Sequence, residues 1–121
     1  MSELALIIED DEDLASIFAE ALRGIDYAVE HVANGKLAQD RLQTGVVPFL
    51  ILLDMHLPHI SGSDLLQIIK QDQRFEKTTI IITTADARMG DMYRDQADFV
   101  MIKPISFVQL RDLTARLKPT V

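Results

Sequence analysis

The segment Phe49-Leu50-Ile51-Leu52-Leu53-Asp54 decides the fold of this chain. It holds five consecutive apolar residues and stops at a single acidic residue. A continuous apolar run of this length is typical of a strand that is covered on both faces. Such strands occur in parallel sheets with helices on both sides, so the segment predicts an α/β fold.

Four more segments have strand character and lie at regular intervals around this one. They are residues 4–8, 26–32, 78–83 and 99–102. The first is a second continuous apolar run, the third is almost entirely β-branched, and the last is apolar throughout. Residues 26–32 are mixed, with Tyr27, Val29 and His31 on one face.

Helical patterns fill the intervals between these strands. Apolar residues at helical spacing predict helices ending at Gly24 and Gly45, a third after the loop between Pro58 and Gly62, and a last one that begins at Ser106 as N-cap. The stripes include Leu14, Ile17, Phe18, Leu22, Leu37, Leu42, Leu65, Leu66, Ile69, Leu110 and Leu113, which we expect to form the core. A weaker pattern surrounds Gly90. Five strands alternating with five helices predict a doubly wound parallel sheet with right-handed crossovers.

Length and composition limit the function classes. The 121 residues fit one domain, and the absence of cysteine excludes disulfide scaffolds, thiol nucleophiles and thiolate zinc sites. The net charge of −7 argues against direct binding of nucleic acid or an anionic membrane. No apolar stretch approaches the roughly 20 residues of a membrane span, and the first residues lack a secretory signal pattern, so we expect a cytoplasmic protein.

Polar side chains stand directly after four of the predicted strands. Glu9 and Asp10 follow the first, Asp54 ends the third, Thr84 follows the fourth and Lys103 follows the fifth. In a parallel sheet these positions meet at one edge, where ligands bind. Each of these residues, taken by itself, also has an ordinary structural interpretation as a helix start, a turn, a cap or a surface lysine. Their joint occurrence at four strand ends favours a functional site.

The chemistry of this set can be argued from its functional groups. Clustered carboxylates repel one another, and a hard divalent cation such as Mg²⁺ relieves the repulsion. A carboxylate beside the ion can act as a nucleophile on phosphorus. A lysine and a threonine hydroxyl can then bind the phosphoryl oxygens. His31, His56 and His59 are too scattered in sequence to suggest a metal set of their own.

The whole chain resembles the receiver domains of two-component signalling. The resemblance rests on Ile8-Glu9-Asp10-Asp11, Ala33-Asn34-Gly35, Leu53-Asp54-Met55-His56-Leu57-Pro58 with Gly62, Thr84-Ala85 and Lys103-Pro104. It implies one receiver domain over residues 1–121, with a flavodoxin-like (βα)5 sheet in strand order 2-1-3-4-5.

The resemblance also implies a role for each residue. Asp54 would accept a phosphoryl group from a histidine kinase or phosphotransfer protein. Glu9, Asp10, Asp54 and the backbone carbonyl of His56 would bind Mg²⁺. Thr84 would be the switch hydroxyl, and Lys103 would contact the phosphoryl group and precede a cis peptide bond.

Such a domain is a switch that catalyses its own phosphorylation and dephosphorylation rather than an enzyme acting on a separate substrate. We expect an unidentified downstream protein target, no membrane contact, and a monomer or weak dimer. Two alternatives stay open. One is a degenerate receiver that binds a partner without phosphorylation. The other is a phosphohydrolase of the haloacid-dehalogenase type, which usually has a second aspartate where this chain has His56.

Two departures from the family pattern concern the region after the fourth strand. Val100 stands where the family usually has an aromatic residue, three positions before the lysine. The stretch between Thr84 and Lys103 is about one helical turn short, and Gly90 should weaken its helix. We therefore expect the signal to change residues 85–96 rather than flip a side chain on the fifth strand.

Overall fold

The computed structural model describes residues 2–119 of the chain. Strands and helices alternate along the chain. The strands are β1 (Leu4–Ile8), β2 (Ala28–Val32), β3 (Leu50–Asp54), β4 (Thr79–Thr84) and β5 (Phe99–Ile102). The helices are α1 (Glu12–Arg23), α2 (Gly35–Gln43), α3 (Gly62–Lys70), α4 (Ala87–Tyr93) and α5 (Phe107–Leu117).

All neighbouring strands are parallel, in the order β2-β1-β3-β4-β5. The predicted doubly wound, flavodoxin-like sheet is therefore confirmed. The register aligns the carboxyl ends: Ile8 pairs with Leu53, Asp54 with Thr83, and Thr84 with Ile102. This alignment carries the polar residues that follow the strands to one edge of the sheet.

Two apolar layers enclose the sheet, because successive side chains of a strand point to opposite faces. Leu6, Ile8, Ile51 and Leu53 pack under helices α2, α3 and α4. Their neighbours Ala5, Ile7, Leu50 and Leu52 pack under α1 and α5 on the other face. All five residues of β3 are buried, as the opening sequence segment predicts.

The expectation that the helical stripes form the core is wrong at two positions. Ile17 is 46% exposed and Leu37 is 50% exposed. Both lie at the margin of their helix's apolar stripe, where the spacing is helical but no element covers the side chain. The predicted second strand, residues 26–32, also differs slightly from the structure. Tyr27 is buried but precedes β2, which begins at Ala28, and His31 is exposed.

Helix α4 is as weak as its sequence suggests. It has only seven residues, and a single 3-10 turn over Arg94–Gln96 continues it toward β5. Asp86 caps its first turn by accepting hydrogen bonds from the backbone N–H groups of Arg88 and Met89. No helix among residues 2–119 is long and apolar enough to cross a membrane.

Candidate phosphoryl and metal site

Three carboxylates meet at the carboxyl edge of the sheet. One ligand oxygen from each of Glu9, Asp10 and Asp54 lies within 4.8 Å of the others. Glu9 and Asp54 are each 1% exposed, whereas Asp10 is exposed to solvent. We call these three residues, together with Lys103, the acidic pocket.

Backbone amides fix the two buried carboxylates. The N–H of His56 donates to Oδ1 of Asp54 over 3.0 Å, and the N–H of Asp11 donates to Oε2 of Glu9 over 3.2 Å. Both donors lie two residues after the carboxylate that they bind, in the loops that leave β3 and β1. The loops thus orient the carboxylates as soon as the strands end.

Lys103 reaches the pocket from the end of β5. Its Nζ lies 2.9 Å from Oε1 of Glu9 and 3.4 Å from Oδ1 of Asp54. The backbone N–H of Lys103 donates to the carbonyl of Thr84 over 2.7 Å, which ties the end of β5 to β4. The bond to Pro104 is cis, as the resemblance implied.

The electrostatics show a pocket with an excess of negative charge. The pKa of the Glu9 carboxyl is raised to about 7, mainly because the group is buried; the hydrogen bond from Lys103 opposes the shift, and the Asp54 carboxylate adds to it. Burial lowers the pKa of Lys103, but the hydrogen bond to Glu9 and the charges of Asp54 and Glu9 outweigh it, so the net shift is upward. One ammonium does not balance three carboxylates.

The donor set fits a hard divalent cation. Magnesium prefers oxygen ligands and usually takes one or two carboxylates while it keeps several waters. Glu9, Asp10 and Asp54 provide such oxygens, and the exposure of Asp10 leaves the set open to solvent on one side. The residues predicted to bind a metal through their side chains are therefore together.

Thr84 is fully buried at the end of β4, and its hydroxyl has a partner that the sequence did not reveal. Nε2 of His56 lies 3.0 Å from Oγ1 of Thr84. A second such contact joins Nε2 of His31 to the backbone carbonyl of Glu9 over 2.7 Å. Helical or strand spacing gives no sign of either, because both depend on where a loop or a neighbouring strand places the ring.

Gly90 lies directly against β5 beside Thr84. A Cβ atom at this position would lie 2.9 Å from Cγ1 of Val100, 3.1 Å from Cδ1 of Ile102 and 3.5 Å from Cγ2 of Thr84. The glycine therefore does more than weaken α4: it lets the helix approach the strand closely above the valine. Val100 is half-buried in this contact.

Comparison with known proteins assigns the family. The model of the response regulator receiver domain matches residues 5–115. The chain belongs to this family. Receiver domains are the modules of two-component response regulators, so the predicted resemblance is confirmed over nearly the whole chain.

Individual relatives agree with this assignment. The polar-differentiation response regulator DivK of Brucella anthropi is 31% identical over 109 residues, which cover 88% of each protein. The phosphate regulon transcriptional regulatory protein PhoB of Rhizobium meliloti is 30% identical over 122 residues; the match covers 95% of this chain but 53% of PhoB. This receiver domain thus spans about half of that relative's length.

The fold of the domain is also found among solved structures. The chemotaxis response regulator CheY4 of Vibrio cholerae superposes with a TM-score of 0.87 over 98% of this chain and 100% of CheY4, at 18% sequence identity. At that identity the likeness concerns the fold alone.

Proposed function

We propose that this receiver domain is a phosphorylation switch that accepts a phosphoryl group on Asp54 from a histidine kinase or phosphotransfer protein. The observation that carries the proposal is the surroundings of Asp54. Its carboxylate is 1% exposed, lies within 4.8 Å of ligand oxygens of Glu9 and Asp10, and has the Lys103 ammonium at 3.4 Å.

The transfer needs little chemistry beyond positioning. An Asp54 oxygen attacks phosphorus, the bond from phosphorus to the donor's imidazole nitrogen breaks, and that nitrogen keeps the electron pair. Lys103 offsets the charge on the phosphoryl oxygens, and the Thr84 hydroxyl donates to one of them. Glu9, Asp10, Asp54 and the carbonyl of His56 would hold Mg²⁺, which neutralises charge on the phosphoryl oxygens.

The same residues account for self-catalysis, so the domain would be a switch rather than an enzyme with a separate substrate. Its signal would pass in the cytoplasm to a protein target. The acidic net charge gives this domain no affinity for DNA by its overall field.

The test is phosphorylation with a small donor. Purified protein is incubated with acetyl phosphate and Mg²⁺, and its intact mass is measured. We expect one added phosphoryl group in the wild type and none in Asp54→Asn. Unchanged labelling of the variant would remove Asp54 from its role. No labelling of the wild type by any donor would favour a receiver that binds its partner without phosphorylation.

A further inference from the structure

The side chain of His56 makes a contact that the proposed phosphotransfer does not use. Its Nε2 lies 3.0 Å from Oγ1 of Thr84, while its backbone N–H donates to Asp54 over 3.0 Å. One residue therefore touches both the proposed phosphoacceptor and the hydroxyl proposed to bind the phosphoryl group.

The hydroxyl of Thr84 is fully engaged in this arrangement. A hydroxyl has one proton to donate and two lone pairs to accept with. Oγ1 accepts the backbone N–H of Asp86 over 3.0 Å, lies 3.4 Å from the carbonyl of Asp86, and has His56 as its third partner. The 3.4 Å contact with the carbonyl is longer than a usual O–H···O hydrogen bond, so the hydroxyl donates its proton to Nε2 of His56, in the ring tautomer that carries no proton on that nitrogen. To donate to a phosphoryl oxygen, the hydroxyl must give up this bond.

The contact with His56 is the one that can be exchanged most easily. Asp86 is anchored by its role as the cap of α4, and Thr84 is fully buried. His56, in contrast, is exposed, so its ring can turn into water and keep its hydrogen bonds there.

We propose that His56 is a positioning residue that holds Thr84 in its resting place, so that a phosphoryl group on Asp54 has to displace the ring. The inference rests on the proposed function, because it concerns the hydroxyl of that same site. A single hydrogen bond of this kind contributes enough to change an equilibrium constant roughly two- to tenfold. The resting contact would therefore oppose phosphorylation by that factor.

The experiment measures binding of beryllofluoride, a phosphoryl mimic, in the presence of Mg²⁺ by fluorine NMR titration. We expect His56→Ala to bind roughly two- to tenfold more tightly than the wild type, since the backbone N–H to Asp54 is retained. His56→Gln, whose amide oxygen can accept from the hydroxyl in place of Nε2, should return to the wild-type affinity. His59→Asn is the matched control, because Asn tolerates the positive φ of 68° at that position, and should equal the wild type.

A double-mutant cycle separates positioning from a general effect on the fold. In a Thr84→Ala background the hydroxyl is gone, so His56→Ala should no longer change beryllofluoride affinity. An effect of equal size in both backgrounds would show that the histidine does not act through Thr84, and would overturn the inference.

The remaining outcomes distinguish this inference from the function on which it rests. If the wild type binds beryllofluoride and His56→Ala binds it equally or less tightly, the inference is wrong while the proposed function stands. If the wild type does not bind beryllofluoride with Mg²⁺, the proposed function fails, and this inference fails with it.

Discussion

The acidic pocket and the α4 segment, residues 85–96, are neighbours at the carboxyl edge of the sheet but are built in different ways. The pocket grows out of β1 and β3, which are buried along nearly their whole length, and the carboxylates of Glu9 and Asp54 are fixed by backbone amides two residues further along the chain. The α4 segment has one seven-residue helix, a 3-10 turn and mostly exposed side chains.

Under the proposed function, this difference separates the chemistry from the response. Rigid strands hold the reacting groups in place, as positioned catalysis requires. A short helix with little buried surface has little local stability to lose, so it can change without disturbing the sheet. Gly90, which lies against Val100 and Thr84, connects the α4 segment to β4 and β5, and β5 leads directly to Lys103 of the pocket.

Two glycine substitutions should reveal the largest difference in stability between the two regions. A Cβ atom at Gly62 would lie 2.5 Å from the backbone carbonyl oxygen of Asp54, whereas one at Gly90 would meet a side-chain methyl of Val100 at 2.9 Å. Since backbone cannot yield as a side chain can, Gly62→Ala should lower the free energy of unfolding by about 3–5 kcal/mol and Gly90→Ala by about 1–2 kcal/mol. Urea denaturation measures both.

The pair Gly90 and Val100 offers an internal check on that prediction. Gly90→Ala should cost less when Val100 is also changed to alanine, because the methyl group that it would meet is gone. Equal costs of Gly62→Ala and Gly90→Ala would erase the distinction between a rigid pocket and a yielding segment.

Binding of Mg²⁺ at the acidic pocket should raise the free energy of unfolding of the domain. An ion that binds only the folded state adds about 2.7 kcal/mol at a hundred times its dissociation constant. Thermal melts with and without Mg²⁺ should show the gain in the wild type and its loss in Asp10→Asn. Asp11→Asn is the control: it removes a neighbouring charge, and asparagine can still cap α1. A Mg²⁺ response that survives in Asp10→Asn would exclude Asp10 from the site.

The raised pKa of Glu9 predicts a pH effect in the absence of divalent cations. Its pKa is about 7 in the folded state and 4.5 without the pocket, so the folded state binds the proton more tightly. The stability that this gives is fully present below pH 4.5 and is lost as the pH rises to 7. The loss is at most about 3 kcal/mol, because each pKa unit corresponds to about 1.4 kcal/mol. Glu9→Gln, which cannot ionise, should not show this loss of stability. The free energy of unfolding of both proteins is measured by urea denaturation over this pH range. Parallel pH profiles would contradict the raised pKa of Glu9.

Sequence alone predicted the acidic pocket well and the contacts around it poorly. Asp54 and Lys103 of the pocket, and Thr84 beside it, could be found because strand ends align in any parallel sheet, which is a property of topology. The contact of His56 with Thr84 depends on the path of one loop, and no periodicity encodes that path.

The helices show the same limit. Spacing marks the apolar side of a helix but not what covers it, which is why Ile17 and Leu37 were wrongly expected in the core. Gly90 was expected only to weaken α4, because the close approach of helix and strand is a tertiary feature.

The claim that the pocket reacts while the α4 segment responds is tested most directly by hydrogen exchange with and without beryllofluoride and Mg²⁺. Exchange should change in residues 85–96 and change little around Val100, whose branched side chain has few rotamers to exchange. A large change around Val100 with little change in residues 85–96 would contradict the account and show that β5 carries the switch.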